Sequence, residues 1–225
     1  MADIFASDDN STPLTPEERE GLKPKWITLR RELNELETRN ILDAEMWLAT
    51  HKQRDVLNDT FLMKLHKRMF GQVWKWAGEY RTTERNIGVA PYQIPVKLKA
   101  MFDDVKFWVE NHTFSHLEIA VRLHHKLVLI HPFPNGNGRI SRLMADLLMQ
   151  QLGEQRLYWG DGNLTDITEL RKKYIDALHA ADAGDYTGLI SFVTKGRSPL
   201  KAGLTLWEIP EQVGDDISRI TSNSP

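Results

Sequence analysis

The sequence predicts an all-α fold that is interrupted by one short β-hairpin or extended flap. Most of its 225 residues lie in segments whose apolar side chains recur every three or four positions, which is the spacing of one helix face. Glycine and proline separate these segments. The stretch YRTTERNIGVAPYQIP at 80–95 differs, because its Thr, Ile and Val residues favour extended structure. Apolar residues make up 41% of the chain, enough to form a buried core.

Three helices are predicted before the flap. Thr15 is suited to cap the first, with Pro16 and acidic residues in its first turn, and Gly21 ends it. Apolar residues at spacings of three to five predict a long second helix. Gly78 is predicted to end the third helix. The second and third predicted helices span residues 28–51 and 59–76.

Five helices are predicted after the flap, and one loop lies among them. Residues 131–138 read HPFPNGNG, and their prolines and glycines exclude a regular helix. The helical pattern restarts at Arg139, and Gly153 stops it. The five predicted helices span residues 96–111, 115–130, 139–152, 165–182 and 186–194.

The chain is predicted to form one folded domain between two tails. Residues 1–14 are polar and acidic, as in a flexible N-terminal tail. Residues 15–197 hold all the periodic segments and are expected to form the domain. Residues 198–225 have mixed composition and are assigned to a C-terminal tail.

Composition argues against several classes of function. The formal net charge of −2 provides no field that would attract nucleic acid or an anionic membrane. The chain has no cysteine, so disulfides and thiolate metal sites are excluded. Neither a secretory signal nor a membrane-spanning apolar segment is recognisable, and a cytoplasmic protein is expected. His124 and His125 lie on or beside an apolar helix face, where structural histidines are expected rather than a zinc site.

The segment HPFPNGNGRISR at 131–142 has the features of a phosphate site. A glycine-rich turn leads into a helix N-terminus, where unpaired backbone N–H groups and the helix dipole attract anions. Arg139 and Arg142 lie about one helical turn apart and suit a polyphosphate. His131 can take a proton from a hydroxyl group near neutral pH. Asn135 provides a side-chain oxygen in the loop that could bind a divalent metal ion before the helix begins.

This segment closely resembles the Fic/Doc family signature, H-x-F-x-[DE]-G-N-G-R-x-x-R. Every specified position matches except the acidic one, where Asn135 stands. The segment WKWAGEYRTTERNIG resembles the family's flap region, and RKKYIDALHAADAGDYTGLISFV resembles its closing helices, so that residues 28–195 are covered. The whole chain is similar to the branch of this family called mobile mystery protein B. The resemblance implies a Fic fold, which is a helical core with a hairpin flap.

The resemblance also implies an activity, which is transfer of AMP from ATP, with Mg²⁺, to a Ser, Thr or Tyr hydroxyl of a target protein. His131 would be the general base, and Arg139 and Arg142 would neutralise the β- and γ-phosphates. Asn135 would take the position of the metal ligand. The nucleotide-binding residues would be Pro134, Asn135, Gly136, Asn137, Gly138, Arg139 and Arg142. The flap would hold the target segment through Thr83, Asn86, Ile87 and Gly88.

Two departures from the family pattern leave alternatives open. Asn135 lacks the charge of an acid, which favours weaker metal binding and suggests a weakly active nucleotide-binding regulatory protein as one alternative. A phosphotransferase or another nucleotidyltransferase of toxin–antitoxin type is a second, although the intact GNGR favours nucleotidyl transfer. The inhibitory [ST]-x-x-x-E-[GN] pattern is absent. We therefore expect restraint, if any, from an antitoxin chain or from an N-terminal glutamate that pairs with Arg142, with Glu20, Glu32 and Glu37 as candidates.

Overall fold

The structure is a computed structural model that describes residues 14–51, 55–85, 87–159 and 167–194. Helices dominate these residues, and the only β-pairing with both partners described is one isolated bridge between Leu22 and Trp74. The all-α class is therefore confirmed. The helices are α1 (Pro16–Gly21), α2 (Arg30–Thr50), α3 (Asp59–Phe70), α4 (Ile94–Glu110), α5 (His116–Ile130), α6 (Asn137–Gln151), α7 (Ile167–Asp182) and α8 (Thr187–Thr194).

The core is built around α5 and α6, which share the most extensive helix contact in the described part of the chain. Both are buried on several faces, as expected for helices inside a bundle. On one side, α4 packs against α5, while α2 packs against α3 and α7 against α8. Ser115 caps α5 by accepting a hydrogen bond from the N–H of Glu118. Because α6 directly follows the loop at 131–136, this core holds both ends of the loop.

The structure corrects the predicted end of α3. The helix stops at Phe70 rather than near residue 76, and Gly71 is its C-terminal cap. Beyond it, the N–H groups of Val73 and Trp74 both donate to the carbonyl of Phe70, which folds the chain into tight turns. Gly78, predicted as the helix terminator, lies in a later turn with φ of 86°. The predicted helix was too long because Val73 and Trp74 continue the apolar spacing of the helix beyond its actual end.

The described residues of the flap are not paired as a hairpin. Residues 79–85 and 87–90 contain no strand, and a short 3₁₀ turn at Pro91–Gln93 follows them. Its backbone bonds to the loop after α5 instead: Arg81 N–H donates to the carbonyl of Pro132 at 2.9 Å, and Val89 N–H donates to that of Ile130 at 3.3 Å. The predicted hairpin is thus replaced by a segment that docks on α5.

Helix α6 begins two residues earlier than predicted, at Asn137 rather than Arg139. Gly136 adopts a left-handed conformation that lets the chain enter the helix at once. The predicted domain limits stay predictions, since most of both tails lies outside the described residues. Leu14, assigned to the N-terminal tail, is buried, and its N–H donates to the carbonyl of Thr28. None of the described helices is long and apolar enough to cross a membrane.

Candidate active site

His131 is the residue at which α5 ends. Its backbone is left-handed, with φ of 53° and ψ of 60°, and its N–H still donates to the carbonyl of Leu127. A residue with a Cβ atom adopts this conformation only where its surroundings hold it there. The side chain is 9% exposed, so the chain reversal places the imidazole at a fixed, mostly buried position.

Burial also determines the charge of this imidazole. Desolvation lowers the pKa of His131 to about 4, and the charges of Arg81 and Arg85 contribute in the same direction. The carbonyl of Val128 opposes the shift but does not complete a hydrogen bond to the buried Nδ1. At neutral pH the ring is therefore uncharged and able to accept a proton.

The loop after His131 is fixed from inside by Phe133 and Asn137. Phe133 is fully buried, and the Asn137 side chain bonds to its backbone twice: Oδ1 accepts from the Phe133 N–H at 2.9 Å, and Nδ2 donates to the Phe133 carbonyl at 2.8 Å. The amide of Asn137 thus shapes the loop. Only its backbone N–H remains to serve the predicted phosphate site.

His66 of α3, which no sequence pattern singled out, supports the same loop. Its ring stacks on Phe133 with 3.7 Å between the ring centroids. Nδ1 accepts a hydrogen bond from the N–H of Gly78, so Nε2 carries the proton and donates to the carbonyl of Asn135 at 3.1 Å. Burial lowers the pKa of His66 to about 3, which keeps this neutral tautomer in place.

Gly136 shapes the entrance to α6. Its φ is 79°, and a Cβ atom at this position would lie 2.6 Å from the Phe70 ring, so both conformation and space require glycine. The first bond of the helix runs from the Ile140 N–H to the Gly136 carbonyl at 3.0 Å, and no side chain caps the helix N-terminus. The N–H groups of residues 137–139 thus form the positive end of the helix dipole, where an anion binds favourably.

A cavity of about 130 Å³ joins His131 to this helix end. It lies between the flap, α5, the start of α6 and α7, and most of its lining is apolar. Two charged side chains, Arg171 and Asp182, also line it. The lining residues are Ile87, Gly88, His125, Val128, Leu129, His131, Gly138, Arg171, Ile175, Leu178 and Asp182.

The two predicted arginines have other surroundings. Arg139 pairs with Glu37 of α2 at 2.6 Å, and its guanidinium lies 4.6 Å from the centroid of the Phe70 ring. Glu37 is buried and also accepts a hydrogen bond from Trp74 Nε1 at 2.6 Å. Burial lowers the pKa of Arg142 from its ordinary value, and the charge of Arg139 adds to this. Neither arginine lines the cavity in this structure.

The contacts of Glu32 and Glu37 bear on the prediction that an N-terminal glutamate pairs with Arg142. Of the three candidates, Glu32 instead accepts hydrogen bonds from the N–H groups of Thr28 and Leu29 at the start of α2. Glu37 reaches the signature segment, but at Arg139 rather than Arg142. The sequence does indicate that Glu37 is unusual. It lies with Asn40 on the helix face of α2 that runs from Leu33 to Ala44, and both polar side chains are buried there.

The remaining predicted site residues lie at the loop surface and the flap. Asn135 is exposed, and its Oδ1 accepts a hydrogen bond from the N–H of Gly136 at 2.7 Å. Pro134 is half-buried beside it. In the flap, Thr83 is exposed, while Ile87 and Gly88 line the cavity. Asn86 lies outside the described residues.

His124 and His125 have structural partners, as the sequence analysis expected. His124 is fully buried and shares a 2.8 Å hydrogen bond with the Tyr174 hydroxyl. His125 bonds through Nε2 to Asp182 at 2.8 Å and through Nδ1 to the Tyr186 hydroxyl at 3.2 Å. These bonds tie α5 to α7 and to the start of α8, and so they fix two walls of the cavity.

Comparison with known proteins agrees with this architecture. The family model described as Fic/DOC family matches residues 56–149. Protein adenylyltransferase fic-1 of Caenorhabditis elegans is 31% identical over 152 residues, which cover 64% of this chain but 28% of the relative. Protein adenylyltransferase Fic of Aedes aegypti is 29% identical over 136 residues, 59% of this chain and 26% of the relative. This chain thus spans little more than a quarter of the length of these relatives.

Solved structures show the same fold. Fic-1 of Caenorhabditis elegans superposes with a TM-score of 0.59 at 28% identity, over 72% of this chain and 48% of that chain. The BepC protein of Bartonella tribocorum superposes with a TM-score of 0.63 at 19% identity, over 86% of this chain and 96% of that chain. Residues 56–149 thus match the Fic/DOC family, and the solved structures show the same fold over most of the chain.

Proposed function

We propose that this protein transfers AMP from ATP to a Ser, Thr or Tyr hydroxyl of another protein, with His131 as the general base. The observation that carries the proposal is that the neutral imidazole of His131 and the N-terminal turn of α6 at Gly138 line the same cavity. A proton acceptor beside an anion site is the arrangement that nucleotidyl transfer to a hydroxyl requires. The names of the similar adenylyltransferases from Caenorhabditis elegans and Aedes aegypti support it.

The proposed reaction is a single displacement at phosphorus. His131 takes the proton of the target hydroxyl, and the resulting oxygen attacks the α-phosphorus of ATP. A bond forms between this oxygen and the α-phosphorus, while the bond from the α-phosphorus to the oxygen that bridges to the β-phosphate breaks. Pyrophosphate leaves with that oxygen, and the target carries AMP through a phosphodiester bond. The N–H groups at the start of α6 stabilise the negative charge on the phosphates.

The cavity is suited to the nucleoside part of ATP. Its wall of Val128, Leu129, Ile175 and Leu178 offers apolar surface to a purine ring. Polar groups are few, as in most small-molecule sites, and include Asp182 and Arg171. The two flap residues that line the same space would bring a target segment close to His131.

Asn135 is the candidate protein ligand for Mg²⁺. Its exposed amide fits an ion held mainly by phosphate and water oxygens, because Mg²⁺ commonly takes only one or two protein ligands. It fits less well than an acid would, since the amide is neutral and its Oδ1 is engaged by the N–H of Gly136. The ion would neutralise charge on the phosphates of ATP.

The test is transfer of label from ATP to protein. We expect protein to become labelled from [α-³²P]ATP but not from [γ-³²P]ATP. We expect His131→Ala to reduce the labelling at least 100-fold, because it removes the imidazole that would take the proton of the target hydroxyl. His116→Ala, at the opposite end of α5, is the matched control and should label normally. Equal labelling by His131→Ala would refute the role of His131.

One observation favours a second candidate. The engaged, uncharged amide of Asn135 suggests weak metal binding, as in a regulatory protein that binds nucleotide but transfers it slowly. This candidate predicts ATP binding without detectable labelling from either position. Labelling from the γ-position alone would instead indicate a phosphotransferase.

A further inference from the structure

The only buried arginine of the flap lies directly beside His131. Arg81 is 3% exposed in spite of its charge. Burial lowers its pKa from the ordinary value, and the charges of Glu84 and Arg85 in the flap itself also affect this pKa, in opposite directions. A guanidinium this deep in a protein requires several hydrogen-bond acceptors, and these acceptors show what Arg81 holds.

Its acceptors are backbone carbonyls from three places. Nη1 donates to the carbonyl of Thr83 at 3.0 Å, and Nη2 donates to that of Val89, so that both sides of the flap are bound. Nε donates to the carbonyl of His131 at 2.6 Å, and Nη2 also reaches that of Ile130 at 3.4 Å. The backbone N–H of Arg81 adds a bond to the carbonyl of Pro132.

These contacts explain two features of the site. The positive charge lies against the C-terminal carbonyls of α5, where the helix dipole is negative. This compensates for the charge of Arg81, since no carboxylate of the described residues forms an ion pair with it. The bond to the His131 carbonyl fixes the residue whose backbone is left-handed. The planar guanidinium of arginine can donate hydrogen bonds to several acceptors at once, whereas the ammonium of lysine is a compact point charge.

Gly88 permits the flap to approach this closely. Its φ is 106°, and a Cβ atom there would lie 2.6 Å from Arg81 Nη2 and 2.8 Å from the Cβ atom of His131. Any larger residue would therefore separate the flap from both side chains.

We propose that Arg81 is a positioning residue, which clamps the two sides of the flap to the end of α5. It thereby holds the His131 imidazole and the target-facing flap at fixed positions relative to each other. Arg81 does not line the cavity, so it acts through His131 and the flap rather than on the nucleotide. The consequence for catalysis rests on the proposed function, but the clamp itself does not.

The test compares Arg81→Lys, which keeps the charge but not the planar guanidinium, with Gly88→Ala, which leaves Arg81 intact but displaces the flap. Arg31→Lys, on the exposed face of α2, is the matched control. In both test variants we expect the Val89 amide to exchange its hydrogen at least tenfold faster, and the NMR signals of the His131 ring to shift. The amide of Leu148 in the core helix α6 should exchange at the wild-type rate, which excludes global destabilisation.

For AMP transfer, we expect Arg81→Lys to lower kcat at least tenfold with little change in the KM for ATP. Wild-type exchange at Val89 and wild-type His131 signals in both variants would overturn the proposal, as would a rise in KM with kcat unchanged. If the wild-type protein transferred no AMP, the proposed function would fail, whereas the exchange and NMR results would still decide whether Arg81 is the clamp.

Discussion

Asn135 stands where the family signature has an acid, and its geometry indicates what the substitution costs. The side chain is exposed on the loop, and its oxygen accepts the N–H of the next residue. A carboxylate at this position would have a second oxygen left for the metal and a full negative charge, and both strengthen Mg²⁺ binding. The backbone that presents it is fixed independently, by the bond from His66 to the carbonyl of Asn135.

Asn135→Asp is therefore expected to lower the Mg²⁺ concentration that gives half-maximal AMP transfer by roughly tenfold. The measurement is a Mg²⁺ titration of labelling at fixed ATP. Asn34→Asp, on the exposed face of α2, adds the same charge away from the site and should leave the titration unchanged. An unchanged titration for Asn135→Asp would show that residue 135 does not bind the metal.

Much of the active-site loop could be predicted from its residues, because its chemistry is local. His131, the glycines and the start of α6 lie within eight positions of each other, and turn and helix-cap rules apply at that range. The residues that hold the loop could not be predicted. His66 meets Asn135 across 69 positions, Arg81 meets His131 across 50, and Glu37 meets Arg139 across 102. Only the tertiary fold determines such contacts.

At the level of elements, the ion pair between Glu37 of α2 and Arg139 of α6 joins the N-terminal helices to the turn that is proposed to bind phosphate. Nη1 of Arg139 donates to Glu37 at 2.6 Å, so one of the N–H donors of this guanidinium, and part of its charge, is committed to the carboxylate. If Arg139 binds the phosphates of ATP as proposed, Glu37 of α2 would compete with the nucleotide for this arginine. This differs from the predicted restraint, which placed a glutamate on Arg142.

We expect Glu37→Gln to tighten ATP binding several-fold, because it frees the charge of Arg139 for the phosphates. The same change should destabilise the fold by about 1–3 kcal/mol, since a buried charge-assisted bond is lost while Trp74 keeps an acceptor. Calorimetric titration with ATP and urea denaturation measure the two effects.

Glu35→Gln is the control for this prediction, because Glu35 is exposed on the same helix and approaches Arg31 only at 3.9 Å. It should change neither quantity. If Glu37→Gln bound ATP no more tightly than the wild type while remaining folded, Arg139 would have a structural role alone.

The helix boundaries show why some elements were predicted more accurately than others. For α5, a Ser cap and a strong apolar face agree, and the predicted span differs from the observed one by one residue at its start. For α3, the apolar spacing continued through Val73 and Trp74, although the chain had already turned at Gly71. The flap shows the opposite case. Its residues favour strands, but its Thr83 and Val89 carbonyls accept hydrogen bonds from the Arg81 side chain rather than from backbone N–H groups of a paired strand.

On the scale of the whole molecule, three uncharged histidines connect the site to the stability of the fold. Burial is the main cause that lowers the pKa of His66 and His124 to about 3 and that of His131 to about 4. Their ordinary value is about 6.5, so the unfolded chain binds protons between roughly pH 6.5 and 4 that the folded chain does not. The contribution of these histidines to the free energy of unfolding is therefore constant above about pH 6.5. Below that pH it falls as the pH decreases toward about 4.

From pH 7 to pH 5 each of these histidines should remove about 2 kcal/mol from the free energy of unfolding, which urea denaturation at the two pH values measures. His124→Asn should be less stable at pH 7, because it changes a buried bond to Tyr174, but its loss between pH 7 and pH 5 should be smaller by about 2 kcal/mol. His179→Gln, at an exposed position of α7, should retain the full loss. If His124→Asn and the wild type lost the same free energy of unfolding between pH 7 and pH 5, His124 would be protonated in the folded protein. This would contradict the statement that burial lowers its pKa.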